Sequence, residues 1–145
     1  MAAGNYPITL EQVVFTRSIV VAVLGHNPEQ LKVAPPPANS ISINKLDDVG
    51  RKFQVSMRCL MNENGDVSYP YFIDMECHAI LNVDDTLTEE EAHRGAMING
   101  HSVCYGAIRE AVGWITGRQI YGQLMLGLSV LTGKPPEAEP EQTTE

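Results

Sequence analysis

The chain has 145 residues, 43% of them apolar and 19% charged, which suits one globular domain with a single modest core. Ten basic and eighteen acidic side chains leave a net charge of −8, so a polyanion such as nucleic acid is repelled at long range. Three widely spaced cysteines, Cys59, Cys77 and Cys104, supply neither a disulfide framework nor a zinc ligand set, and no apolar run approaches the ~20 residues of a membrane span.

The opening MAAGNYPITLEQ has no positive start and no apolar stretch, so no secretory signal is expected. From Ile8 to Leu24 the chain is rich in β-branched residues. Val13, Phe15, Ile19, Val21 and Val23 recur at period two, and Val14, Val20 and Ala22 make the other side partly apolar. That pattern predicts a strand covered on both faces at its end. Gly25-His26-Asn27-Pro28 stops it, Ala34 to Asn39 reads as a stiff proline linker, and Ser40 to Leu46 as a short edge strand.

The clearest local pattern follows. Phe53, Val55, Met57, Cys59 and Met61 alternate with polar residues, Asn62 to Asp66 forms a turn, and Val67 to Leu81 alternates again. An Asn-Gly step supplies the positive φ angles of a tight hairpin, so this reads as a long antiparallel pair with one apolar and one wet face. After Asp84-Asp85, Thr86 or Thr88 can cap a helix whose first turn carries Glu89, Glu90 and Glu91. Gly100 is expected to break or kink it. A second helix then runs from about His101 to Thr116 and stops at Gly117-Arg118. Gly106 and Gly113, seven apart, leave one side of that helix open to another backbone. Leu124, Leu126, Leu128 and Val130 alternate as in an extended segment. Residues 1–132 form the expected single domain, and the acidic, Pro-rich tail 133–145 is expected to be disordered.

No arrangement of reactive side chains emerges from this sequence. Asp74, Glu76 and His78 share one strand face without a matching row elsewhere, Glu90-x-x-His93 is half of a di-iron signature without its partner copy, and His101-Ser102 near Cys104 has no orienting carboxylate nearby. Nucleotide-loop, zinc-protease and hydrolase-elbow motifs do not occur. The chain is therefore expected to be no enzyme and to need neither cofactor nor metal. The informative quantity is apolar surface: both faces of the first strand, the hairpin face, the helical stripe and LMLGLSVL exceed what a two-layer domain covers. Such a surplus is buried by self-association or kept as a site for apolar ligands.

Several strings resemble SecB, the bacterial protein-export chaperone family. ITLEQVVFTRSIVVAV resembles its first strand, with Phe15-Thr16-Arg17 at the aromatic-Thr-basic step. FQVSMRCLMNENGDVSYPYFIDMECHAILNV resembles its paired strands, with Met75-Glu76-Cys77 at a Cys-Glu-Val-like position. In AMINGHSVCYGAIREAVGWITGRQIYGQLMLGLSVL, the runs Ala107 to Glu110, Gly117 to Tyr121 and Leu124 to Leu126 occupy the family's helix end and the aromatic-leucine segment after it. The likeness is distributed over residues 8 to 131 and rests on no catalytic signature.

The resemblance implies an α+β fold, a four-stranded antiparallel sheet with helices packed on one face, assembled as a dimer or a dimer of dimers. It implies a cytoplasmic, ATP-independent holdase for unfolded polypeptide, in an export or toxin–antitoxin setting. The client groove would be lined by Tyr105, Trp114, Ile115, Ile120, Tyr121, Leu124 and Leu126, and Glu76 would be the partner-docking acid. Ser18 and Ala22 stand where the family carries its other SecA-docking acids, Gly122 replaces the proline after the aromatic, and the family's Asn-Phe and final helix are missing. SecA is accordingly the least supported of the implied partners. Two other expectations stay open: an assembly subunit that uses its apolar surface only to oligomerise, and a small-ligand binder or enzyme with its site between protomers.

Overall fold

The computed structural model describes residues 6–30, 37–49, 51–129 and 131. The tail 133–145 and residues 34–36 of the proline linker lie outside the described residues. Four strands, β1 (Ile8–Ala22), β2 (Ala38–Lys45), β3 (Lys52–Met61) and β4 (Tyr71–Val83), precede one helix, α1 (Glu89–Thr116). They form a single antiparallel sheet in the order β1-β4-β3-β2, with α1 packed across one face. This is the expected α+β architecture, and it leaves the other face open.

The two helical segments expected on either side of Gly100 are one continuous helix of 28 residues. Gly100 is buried, and a Cβ there would lie 2.5 Å from the Val55 Cβ. The glycine is present because the helix backbone presses directly onto β3, not because the helix stops. Its ends follow the sequence. Thr88 and Glu91 exchange the two bonds of a capping box, and Gly117 closes the C-terminus in right-handed conformation.

The buried stripe of α1 repeats every four residues: Ala92, Ala96, Gly100, Cys104, Ile108, Val112 and Thr116. Its small members stand at the N-terminal end and its larger ones toward the C-terminal end, so the helix lies close to the sheet first and then stands off. Steps of four also advance by about 40° round a helix of 3.6 residues per turn, so the stripe winds. Its last turns are shared with the chain that follows, since a Cβ at Gly113 would meet the Gln123 side chain at 3.4 Å and Met125 Sδ at 3.7 Å.

Two expectations about the strands are corrected. In β1 the pairing with β4 slips at Glu11 and at Thr16, and each such bulge inserts one residue and exchanges the faces beyond it. Val13 and Phe15 stand opposite Ala79 and Cys77 on the helix side. Beyond Thr16 it is Ser18, Val20 and Ala22 that take this side, opposite Met75, Ile73 and Tyr71. Ile19 and Val21 are thereby turned to the open face with Arg17. The β3–β4 connection is also longer than a tight hairpin, since β4 begins at Tyr71, not Val67. Asp66 Oδ1 takes the Ser68 N–H at 2.9 Å, and such a side-chain turn diverts the backbone from a strand ladder.

Candidate functional site

Beyond Thr116 the chain turns through residues 117–121, passes Gly122 at φ +81°, and runs back along the helix in extended form to residue 129. Among the described residues, no backbone-to-backbone hydrogen bond holds residues 123–129. Side chains hold them instead. Tyr71 donates its hydroxyl to the Gly122 carbonyl at 2.6 Å, and the Leu124 N–H donates to Thr116 Oγ1 at 2.8 Å. Tyr105 donates to the Gly127 carbonyl at 2.5 Å, and His101 Nε2 lies 3.1 Å from Ser129 Oγ. Burial pushes the His101 imidazole below its ordinary pKa, which keeps it neutral beside Tyr105, against which it stacks.

The seven residues expected to line a groove divide between inside and outside. Tyr105 and Leu126 are buried in the core cluster with Ile108 and Val112, while Tyr121 and Leu124 are half-buried against it. Ile115 is half-buried as well. Tyr121 donates to the Val23 carbonyl at 3.0 Å and packs edge-on against His26 and Tyr71. Trp114 and Ile120 stand outside, 59% and 71% exposed, with the Arg118 guanidinium 3.8 Å above the indole. Met125 and Leu128, not among the seven, are 65% and 87% exposed. A groove of about 450 Å³ lies between Gly106, Arg109, Gly113 and Trp114 on the helix and Gln123 and Met125 on the returning segment. Gly106 and Gly113 border that groove, and a side chain at Gly106 would meet nothing within 4 Å. The alternation of LMLGLSVL showed that Met125 points away from Leu124 and Leu126. What it lacked was a sign that the helix flank would be its neighbour.

The open sheet face is of another kind. Register places Ser40, Arg58, Glu76 and Arg17 in one row across it, and Ser42, Ser56, His78 and Val14 in the next. Asp74 has its side chain only 4% exposed and takes two bonds from Arg58 and one from Arg17, all at 2.9 Å. The hydrogen bond from Arg58 holds its carboxyl below the usual carboxylate range against the opposing effect of burial, with the charges of both arginines adding to it. His78 lies 2.7 Å from Ser56 Oγ, 2.8 Å from Thr16 Oγ1 and 3.2 Å from Glu76 Oε1. Asp74, Glu76 and His78 do share a face as expected, but Asp74 is enclosed by arginines and not solvated. Beside Arg58, Glu76 and three serines is a cavity of about 240 Å³.

Among the described residues no group of three or more His, Cys, Asp or Glu side chains is arranged to hold a metal. The three cysteines are free and buried. Burial, with the Asp74 charge, pushes the Cys59 thiol up to about 11. Its hydrogen bond with Cys77 and burial push Cys104 up as well, so neither Cys59 nor Cys104 is a thiolate at neutral pH. Among the described residues, no helix is long and apolar enough to cross a membrane.

No family model and no curated protein matches this chain. Solved structures do. A SecB-like chaperone of Mycobacterium tuberculosis, in complex with a ChAD peptide from the HigA1 antitoxin, is 19% identical, with a TM-score of 0.57 over 85% of this chain and 91% of its own. A protein of unknown function from Streptococcus agalactiae is 9% identical, with a TM-score of 0.54 over 83% of this chain and 97% of its own. The fold of the chain is SecB-like.

Proposed function

We propose that the chain uses this SecB-like fold as an ATP-independent holdase for unfolded polypeptide, without covalent chemistry. The observation that carries the reading is the flank of α1, where Trp114 and Met125, 59% and 65% exposed, line a 450 Å³ groove with Arg109 and Glu110, and where Ile120 and Leu128 on the chain that follows the helix are 71% and 87% exposed. Exposed apolar residues scattered singly need no explanation, but a cluster beside a groove marks a binding surface. An extended client would add its apolar side chains to that surface and offer its backbone to groups already used to hold an extended segment. That a protein of this fold is known with an antitoxin peptide supports the same class of ligand.

The rest of the reading is of a piece with this: residues 1–132 as one domain followed by a tail, a cytoplasmic homo-oligomer, dimer or dimer of dimers, and Glu76 as the docking acid for a partner. Glu76 sits in a row with Arg17 and Arg58, so a partner that docks on acidic side chains, as SecA does in the family, would meet a nearly neutral surface there. An assembly subunit is the second reading. It is favoured by β1, an edge strand of 15 residues whose Leu10 and Phe15 stay 48% and 38% exposed on the helix side.

The test is suppression of aggregation of a chemically denatured model protein, without nucleotide. Suppression at near-stoichiometric ratio is expected, and its absence at several-fold molar excess overturns the holdase. An oligomer that neither suppresses aggregation nor binds an apolar dye supports the assembly subunit instead.

A further inference from the structure

We infer that residues 122–129 are a resident pseudo-client, occupying a socket on α1 and the sheet from which an incoming extended chain displaces them. This rests on the holdase reading and adds to it the place, the chemistry and the control of binding. The segment has the form of a client. It is extended, it carries leucine at every second position, and no backbone ladder holds it. Its one deep anchor is Leu126, 5% exposed, set among Tyr105, Ile108 and Val112. Apart from the turn bond that the Gly122 N–H donates to the Gln119 carbonyl, every other hold on it among the described hydrogen bonds comes from side chains: the hydroxyls of Tyr71, Tyr105 and Thr116, and the His101 ring. Those partners read carbonyls, an N–H and a hydroxyl, and the first three would accept the backbone of any extended chain. Leucine in the socket with hydroxyls on the backbone is recognition that tolerates sequence.

The segment is also built to leave. Gly122 stands at φ +81° and Gly127 has open space around its Cα, so both ends of Leu126 carry residues that turn at little cost. Leu128 is 87% exposed and Met125 65% exposed, so neither is lost from a packed site when the segment swings out. The vacated surface is the apolar C-terminal half of the α1 stripe. Its preferred occupant is an extended, leucine-bearing stretch of unfolded polypeptide.

A reversible lock tests this. A Cβ built on Gly117 lies 3.9 Å from the Gln123 Cβ, inside the 3.5–4.5 Å range of a disulfide, so Gly117→Cys with Gln123→Cys fastens the segment ahead of Leu126. The probe is a fluorescein-labelled peptide of residues 122–129, GQLMLGLS, followed by anisotropy, with oxidant-treated wild type as control. Oxidation of the double variant is expected to weaken peptide binding about tenfold and reductant to restore it, as required when the competent state is depopulated. Leu126→Ala, checked for folding by its melting curve, is expected to bind about tenfold more tightly. Equal binding by the oxidised and reduced double variant, or no binding by any form, overturns the socket. If the lock controls peptide binding while wild type fails to hold a denatured protein, the socket stands and the holdase reading falls. If oxidised and reduced forms hold denatured protein equally, the reverse is true.

Discussion

The two sides of the sheet are finished in opposite ways. On the open side the central polar groups answer one another: Arg17 and Arg58 enclose Asp74, Lys52 meets Glu11, and Glu76 Oε1 lies 3.2 Å from His78 Nε2. On the helix side a tight N-terminal contact through Ala92, Ala96 and Gly100 gives way to a C-terminal half covered by one loosely bonded segment and ringed by exposed apolar side chains. A fixed ionic lattice leaves its polar groups little to gain from a greasy partner. A segment with few backbone bonds belongs to the low-stability end of a fold, where exchange with a ligand is cheapest. Function is thus expected to respond to mutation on the C-terminal flank of α1, and stability to mutation on the open face and at the tight N-terminal contact of the helix.

Gly100→Val should give the largest effect. The new side chain must displace Val55 or lift the helix from β3, and overpacking of this kind costs about 3 kcal/mol. Urea denaturation measures it, and a loss below about 1 kcal/mol would show that the helix is not seated as described. Asp74→Asn comes next. It removes the charge that both guanidiniums share, and hydrogen bonds to charged groups are worth about 1.5–3 kcal/mol. Because the arginine side chains are 46% and 44% exposed, water makes good part of the loss and about 2 kcal/mol is expected.

The same residue sets an acid limb. A carboxyl whose folded pKa is depressed contributes its full stabilisation above the unfolded value of about 3.9 and loses it as pH falls through the folded value. Wild type and Asp74→Asn should therefore differ at pH 6 and converge below about pH 4. A constant gap across that window would mean the carboxylate is not what the arginines hold. Tyr71→Phe is smaller, about 1 kcal/mol, for the hydroxyl given to the Gly122 carbonyl. Gly106→Ala reverses the sign. It meets nothing within 4 Å and replaces glycine in a helix, so a gain of about 0.5–1 kcal/mol is expected from propensity alone.

Much of this contrast was legible in the sequence, though not all of it. Alternation from Phe53 to Leu81 named the core face of β3 and, from Tyr71, of β4 correctly, because period two with one wet face leaves little choice. Thr86 or Thr88 with three glutamates after them bracketed the helix start, which falls at Thr88. Gly100 could not be read, because a glycine that breaks a helix and one that admits a neighbouring strand look alike until Val55 is known to lie opposite. The bulges in β1 left no trace either. With apolar residues on both sides of that strand, an extra residue at Thr16 disturbs no visible pattern. For Leu126, alternation gave the face it shares with Leu124, but neither the burial of Tyr105 nor the return of residues 122–129 over it could be read. That return depends on Tyr71 and Thr116 as much as on the leucines.

The smallest change in stability should accompany a large change in function. Trp114 and Ile120 are 59% and 71% exposed, so Trp114→Ser with Ile120→Ser removes little packing and should alter stability by no more than about 0.5 kcal/mol. The loss of Arg118 from above the indole adds little at an exposed position. Yet these two side chains are a large part of the apolar surface left on this flank, and the suppression of aggregation should fall several-fold. Asp74→Asn at pH 7, less stable but unaltered on this flank, should keep its holding activity below its melting temperature. Activity that follows stability across the two variants, instead of following the exposed flank, would place client binding elsewhere and undo the division between the faces.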